Sequence, residues 1–197
     1  MDARLPVTGI SVERHAPARP TTIVRLLREA LLIAAGTAFL ALTARISLPL
    51  PFSPVPITGQ TLGVLVVGAL YGPTRGAATV LAYLVEGAAG APVFAAGRAG
   101  LSVLAGPTGG FLVGFVPAAA IAGFAGARRR AALRLAILLL ATAAVYACGV
   151  PWLMAVTGLP LAAALAAGAL PFLPGDVLKA GLAGGVTPAG ARLLRLR

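Results

Sequence analysis

The sequence Pro-Phe-Leu-Pro-Gly-Asp-Val-Leu-Lys, residues 171–179, places two charged side chains inside a long apolar part of the chain. No Asp, Glu, Lys or Arg occurs from Leu135 to Gly175 before it, or from Ala180 to Ala191 after it. Uncharged runs of this length predict helices that cross a membrane. This part of the chain therefore indicates the fold class, with a charged pair at the start of its last helix.

Asp176 and Lys179 are three residues apart, and this spacing puts both side chains on one face of a helix. A charge at the centre of a bilayer costs on the order of 3 kcal/mol on insertion scales, and such charges usually mark a ligand or ion path. Two other readings stay open. The pair could be purely structural, or Asp176 could cap the helix that begins after Pro174 and Gly175.

The composition predicts an all-α integral membrane protein. Hydrophobic residues make up 59% of the chain and charged residues 11%, with a mean hydropathy of +0.96. A soluble domain carries roughly 25% charged residues. We expect residues 23–197 to form a single membrane domain in the lipid bilayer. Residues 1–22 are expected to form a mostly disordered cytoplasmic tail, because they contain three prolines and little apolar periodicity.

Six transmembrane helices are predicted, and the second and third are short for a bilayer of about 30 Å. A proline-rich loop is expected over Pro49–Pro56, and a short surface helix over Gly158–Leu170. The predicted spans are Ile23–Ile46, Thr58–Tyr71, Ala77–Gly90, Pro107–Ala127, Ala131–Val156 and Pro174–Leu193.

The positions of the cations predict the orientation. Six spans put both termini on the same side of the membrane. Of the 16 lysines and arginines, only Arg45, Arg98 and Lys179 fall outside that side. Basic residues concentrate on the cytoplasmic side of membrane proteins, so both termini are predicted to be cytoplasmic. The net charge of +11 therefore reflects topology, and no nucleic-acid partner is expected.

The remaining charges indicate a binding pocket. In this topology Glu86, Arg98, Asp176 and Lys179 gather toward the outer end. Acids and cations together suit a small ligand with hydrogen-bond donors at one end and a carboxylate at the other. The only histidine is His15, and the sequence has no phosphate-binding loop, so neither an enzyme nor a cofactor or metal site is expected.

Four motifs carry a family resemblance. Pro54-Val-Pro-Ile-Thr-Gly-Gln-Thr61 resembles the V-P-[IF]-T-x-Q segment of the BioY proteins, the biotin-binding S components of energy-coupling-factor (ECF) transporters. The segments Tyr83–Phe94 and Gly106–Phe111 and the opening Pro-Phe-Leu-Pro-Gly-Asp-x-x-Lys resemble the same family. The motifs occur in family order and cover roughly Ala30 to Leu193.

The resemblance implies a protein of the cell (inner) membrane that captures biotin from outside with high affinity. Asp176 would accept hydrogen bonds from the ureido ring, with Glu86 as a second ureido partner. Lys179 and Arg98 would be the candidates for the ligand carboxylate. Tyr83 and Phe94 would be apolar walls of the pocket, or else ordinary packing residues.

The resemblance also implies partners. S components work with a transmembrane T component and two cytosolic ATPases, which alone use ATP. Small side chains on the first helix would form the docking face, and Ala30, Ala34 and Ala38 recur there at a spacing of four. Two alternatives stay open: a stand-alone secondary transporter of a small carboxylate-bearing ligand, and an assembly subunit with no ligand.

Overall fold

The computed structural model describes residues 22–194, apart from the side chains of residues 188, 189 and 191–194. The predicted tail therefore lies outside the described residues except for Thr22, which is already helical. Two 3-10 turns, Ala95–Gly97 and Ala125–Ala127, join longer elements. The elements are α1 (Thr22–Arg45), β1 (Ser47–Leu50), β2 (Ser53–Thr58), α2 (Gln60–Tyr71), α3 (Pro73–Ala88), α4 (Leu101–Ala105), α5 (Gly109–Gly123), α6 (Ala131–Thr157), α7 (Leu161–Gly168) and α8 (Leu173–Leu194).

Fewer helices than predicted are long enough to cross a membrane alone. Within residues 22–194 three qualify by length and composition, namely α1, α5 with its 3-10 turn, and α6. A fourth is added if α7 and α8, bent by 49°, count as one span. α2 has 12 residues and α3 has 16. At 1.5 Å per residue these helices are about 18 and 24 Å long, against about 30 Å of hydrocarbon.

The proline-rich segment, predicted as a loop of an all-α protein, folds instead as an antiparallel hairpin of β1 and β2. Ser47 pairs with Thr58 and Leu48 pairs with Ile57. Proline cannot donate to a strand ladder, but each strand of a two-stranded hairpin has one free edge where a missing N–H costs little. The hairpin returns the chain to α2 at Gly59, whose N–H donates to the Ile46 carbonyl at 2.9 Å.

Helix α5 lies at the centre of the bundle. In an apolar 18-residue stretch of each long helix, 61% of the residues are buried for α5, against 22% for α1 and 33% for α6. Small residues allow this close packing, as the composition predicts. A Cβ added to Gly114 would lie 3.0 Å from Val145 Cα on α6, and one added to Gly76 on α3 would lie 2.8 Å from Gly68 Cα on α2.

Three contacts define one end of the bundle, which we call the basic end. Arg75, just after the α2–α3 turn, donates from Nε and Nη2 to the Glu29 carboxylate of α1 at 2.5 and 2.7 Å. Gly123, at the end of α5, packs against the backbone of the same α2–α3 turn. Arg134 of α6 donates to the Gly184 carbonyl of α8 at 3.2 Å. Cations that the sequence assigns to one side thus lie at the same end of the bundle.

The opposite end, which we call the pocket end, is tied together by side chain–backbone bonds. Arg45 Nη2 at the end of α1 donates to the Pro92 carbonyl at 3.1 Å. Ser53 Oγ of the hairpin donates to the Ala167 carbonyl of α7 at 2.7 Å. The Trp152 indole N–H of α6 donates to the Gly106 carbonyl, just before α5, at 2.9 Å. These bonds fix the loops that surround a cavity.

Candidate ligand-binding site

A cavity lies between the hairpin and the helices at the pocket end. It holds about 600 Å³ of space, including the open space at its mouth. Its lining residues are Val55, Pro56, Thr58, Gln60, Thr61, Phe94, Ala95, Val103, Thr108, Phe111, Leu112, Phe115, Val145, Tyr146, Gly168, Phe172, Asp176 and Lys179.

The charged end of the cavity is formed by the first turns of α8. Lys179 Nζ donates to Asp176 Oδ1 at 2.9 Å, and the Tyr146 hydroxyl of α6 donates to Oδ2. Asp176 is only 5% exposed. A carboxylate offers about four acceptor positions, so each oxygen keeps capacity for a ligand N–H. The structure thus brings together the two charges that the sequence singled out.

Asp176 does not cap helix α8, as one of the alternatives had it. Helix α8 begins at Leu173, and the backbone N–H of Asp176 already donates to the Phe172 carbonyl at 2.9 Å. Its carboxylate bonds to the side chains of Lys179 and Tyr146. The ion pair exists, and because both of its members line the cavity it is placed to meet a ligand.

Gln60, at the start of α2, adds a polar group that the sequence reasoning did not select as a site residue. Its side-chain NH₂ donates to the Tyr83 hydroxyl at 2.7 Å, and that hydroxyl donates to the Val93 carbonyl at 2.7 Å. Gln60 is 4% exposed and lines the cavity. Among the described residues no donor reaches its amide oxygen, which remains an acceptor for a ligand. The sequence feature that could have identified Gln60 is its position, a polar side chain at the start of an uncharged apolar span.

Aromatic side chains form the apolar walls, and glycines make room for them. The ring of Phe94 lies directly against Gly87 of α3, where any Cβ would overlap it. The ring of Phe111 lies against Gly149 of α6 in the same way. A cavity with aromatic walls and one charged end suits a ligand with a polar head and an apolar body.

Two predicted pocket residues lie outside the cavity lining. Tyr83 is fully buried behind Phe94, with the ring centroids 5.6 Å apart and the planes at 84°. It therefore supports Gln60 and the Phe94 loop and does not line the wall. Glu86, half-buried on α3, is also absent from the lining. The Phe94 ring takes the wall position in front of Tyr83, which sequence alone could not reveal.

Arg98 lies at the edge of the site. It is exposed and lines a neighbouring surface cleft with Ser102, Gly106 and others. Val103 and Thr108 line both this cleft and the cavity. The cation is therefore placed beside the cavity and not within it.

The predicted docking residues lie on an uncovered surface. Ala30, Ala34 and Ala38 are all exposed on α1. The first buried residue of that helix is Gly36, more than halfway along. Much of α1 therefore presents its surface to its surroundings and not to the rest of the chain.

Fold and site together define a class of protein, a helical membrane protein with a cavity whose lining suits a small, partly polar ligand. The BioY family matches residues 13–196. The chain belongs to the BioY family, which confirms the resemblance found in its motifs.

Similar proteins agree with this assignment. The biotin transporter BioY of Rhizobium etli is 40% identical over 141 residues, covering 66% of this chain and 75% of the relative. The probable biotin transporter BioY of Pyrococcus horikoshii is 35% identical over 156 residues, covering 79% and 91%. A crystal structure of the S-component for biotin from an ECF-type ABC transporter superposes with a TM-score of 0.79 at 28% identity, covering 90% of this chain and 95% of that one. The relatives are transporters, and the fold is that of an S-component.

Proposed function

We propose that this chain binds biotin in the cavity and acts as the substrate-binding membrane subunit of an ECF-type transporter that takes up biotin from outside. One observation carries the proposal. Buried Asp176, with half-buried Lys179 and Tyr146 bonded to it, faces a cavity with aromatic walls, in a chain whose relatives are named biotin transporters.

The ureido head of biotin matches the charged end of the cavity. A ureido group has two N–H donors, one on each side of a carbonyl acceptor. Asp176 and the Gln60 amide oxygen supply acceptors, and Lys179 supplies an ammonium donor. Charge-assisted hydrogen bonds of this kind are shorter and stronger than neutral ones. The thioether ring and aliphatic chain would lie against Phe94 and Phe111.

We place the biotin carboxylate toward Arg98. Lys179 is already paired with Asp176, whose negative charge would oppose a second carboxylate at that end. The Arg98 cleft adjoins the cavity through Val103 and Thr108, so an extended ligand can reach it. Lys179 is the second candidate for the carboxylate. Glu86 has no place in this arrangement.

We further propose six membrane crossings in the cell (inner) membrane, with both termini cytoplasmic. Helix α2 is short, but strand β2 comes directly before it and extends the same crossing. Most residues of α2 are buried by neighbouring elements. Non-helical backbone at membrane depth is tolerated where protein surrounds it. The basic end, with Arg75 and Arg134, would face the cytoplasm.

The exposed surface of α1 supports docking to a transmembrane T component, which would link the chain to cytosolic ATPases. Ala30, Ala34 and Ala38 would permit close approach of a partner helix. ATP would be used by those partners alone.

Binding of labelled biotin to the purified chain tests the ligand assignment. We expect Asp176→Asn to weaken binding about ten- to a hundredfold, because a charge-assisted hydrogen bond is worth roughly 1.5–3 kcal/mol. Glu86→Gln is the matched control, since it removes a carboxylate outside the cavity, and it should change affinity less than about twofold. Equal losses in both variants, or none in either, would place the ligand elsewhere.

Uptake into vesicles tests the role of the partners. Biotin uptake should require the T component, the ATPases and ATP, while binding to the isolated chain should not. Uptake by the chain alone, driven by an ion gradient, would identify a stand-alone secondary transporter instead.

A further inference from the structure

Three consecutive arginines, Arg128, Arg129 and Arg130, form the connection between α5 and α6 at the basic end. We call them the arginine loop. All three side chains are exposed. Among the described residues the two ion pairs are Glu29–Arg75 and Asp176–Lys179, so none of the described acids neutralises this loop.

The backbone of the arginine loop is nevertheless fixed at each residue. The Arg128 N–H donates to the Ala125 carbonyl at 3.0 Å. Arg134 Nη1 donates to the carbonyls of Arg128 and Arg129 at 3.1 and 3.0 Å, and the Arg134 backbone N–H donates to the Arg130 carbonyl at 3.1 Å.

Arg134 therefore acts as a brace for the loop. The Nε of the same guanidinium donates to Gly184 of α8 at 3.2 Å, so one side chain joins the loop, α6 and α8. Turning the loop carbonyls toward Arg134 leaves the three arginine side chains outward. Ordering a binding surface in advance lowers the entropy cost of binding.

Apolar side chains flank the arginine loop on both sides. Phe124 before it is 54% exposed, and Leu133 after it is 45% exposed. Cations beside exposed apolar surface match the chemistry of a phospholipid, whose phosphate lies next to its acyl chains. Arginine also binds phosphate oxygens in bidentate fashion, and basic clusters next to membrane helices attract anionic lipids.

We propose that the arginine loop binds the headgroup of an anionic phospholipid, with Arg134 as its positioning residue and with Phe124 and Leu133 against the acyl chains. The site lies at the opposite end of the bundle from the ligand cavity. It is independent of the identity of the transported ligand.

Lipid binding to the purified full chain tests the proposal. The chain, freed of lipid in neutral detergent, is titrated with phosphatidylglycerol, phosphatidylcholine or glycerol 1-phosphate, and bound lipid is counted by native mass spectrometry. We expect phosphatidylglycerol to bind most tightly. Arg128→Gln/Arg130→Gln should weaken it by about ten- to thirtyfold, at roughly 1 kcal/mol for each basic residue near a membrane surface.

Two further variants separate a site from general charge. Arg25→Gln/Arg28→Gln removes the same charge from exposed positions of α1 and should leave phosphatidylglycerol affinity within about threefold. Arg134→Lys keeps the charge but replaces the planar guanidinium, whose Nε and Nη1 reach carbonyls of α8 and of the loop, with a single ammonium. It should therefore weaken phosphatidylglycerol binding while biotin binding persists.

Several outcomes would overturn the proposal. Equal losses in the two double variants would mean nonspecific attraction, and equal affinity for phosphatidylcholine would mean that the arginines do not read the headgroup. Glycerol 1-phosphate binding as tightly as the lipid would identify a soluble phosphate site. Undiminished phosphatidylglycerol binding in Arg128→Gln/Arg130→Gln, with the variant folded and binding biotin, would show that the loop is free for another partner.

Discussion

Gly87 shows how one missing Cβ shapes the ligand site. The ring of Phe94 occupies the space where a side chain at residue 87 would lie, and so it forms the cavity wall without filling the cavity. The same relation holds between Gly149 and Phe111. At this scale the site depends on what is absent from a helix surface as much as on the charges of Asp176 and Lys179.

Gly87→Ala should push the Phe94 ring into the cavity and weaken biotin binding. We expect a loss of about tenfold, because overpacking a filled site costs roughly 1–3 kcal/mol. Gly181→Ala is the control, since no atom lies within 4 Å of a Cβ added there. Calorimetric titration of the two variants checks this. Unchanged affinity in Gly87→Ala would mean that Phe94 can move away without cost.

The sequence predicts the charged pair of α8 better than it predicts the rest of the site. Asp176 and Lys179 are predictable because a charge in an apolar run is costly and therefore conspicuous. The positions of Tyr83, Glu86 and Arg98 are harder to predict, because the packing of α3 and of the loop after it decides whether a side chain lines the cavity. Gln60 is uncharged, so the energetic cost of a charge in an apolar run does not point to it. Only its position in the fold identifies it as a site residue.

At the scale of elements, helix α1 differs from the other long helices in how little of it is covered. Only 22% of the residues in its apolar 18-residue stretch are buried. Its ion pair to α3, Glu29–Arg75, lies at the basic end. The bounds of α1 agree with the predicted first span to within a residue at each end. The hairpin does not follow from the sequence alone, because prolines disfavour strands and only the free edges of a two-stranded ladder accommodate them.

Ala34→Trp should separate biotin capture from energised transport. A bulky side chain on the exposed face of α1 keeps a partner helix at a distance, while the cavity is built from other elements. Biotin binding should persist in the isolated chain, and uptake with the partner subunits should fail. Ala143→Trp, at an exposed position of α6, is the control and should transport normally. Loss of binding in Ala34→Trp would mean that this residue is internal packing.

At the scale of the whole molecule, the two ends of the bundle have different chemistry. The basic end gathers Arg75, Arg134 and the arginine loop, whereas the pocket end holds Arg45 and the cavity. The number of spans was the part that sequence could not settle. Hydropathy counts apolar residues, but α2 is mostly buried by other elements and need not match the bilayer thickness by itself.

Labelling of introduced cysteines checks the orientation. In a Cys148→Ala background, Phe52→Cys at the hairpin should react with an impermeant maleimide in intact cells. Thr74→Cys at the start of α3 should react only after the cells are made permeable. Both positions are exposed, so access to the reagent decides the result. The reverse pattern would invert the proposed topology.

Trp152 is the only tryptophan in the chain, and its indole N–H is bonded to the Gly106 carbonyl. Its side chain also lies against Gly110, one residue before Phe111 of the cavity wall. The emission of this single fluorophore should therefore change when biotin fills the cavity, and Trp152→Phe should abolish the signal while labelled biotin still binds. The hydrogen bond that fixes one corner of the fold thus gives the protein an intrinsic optical probe, with which occupancy can be followed in real time without a label on either molecule.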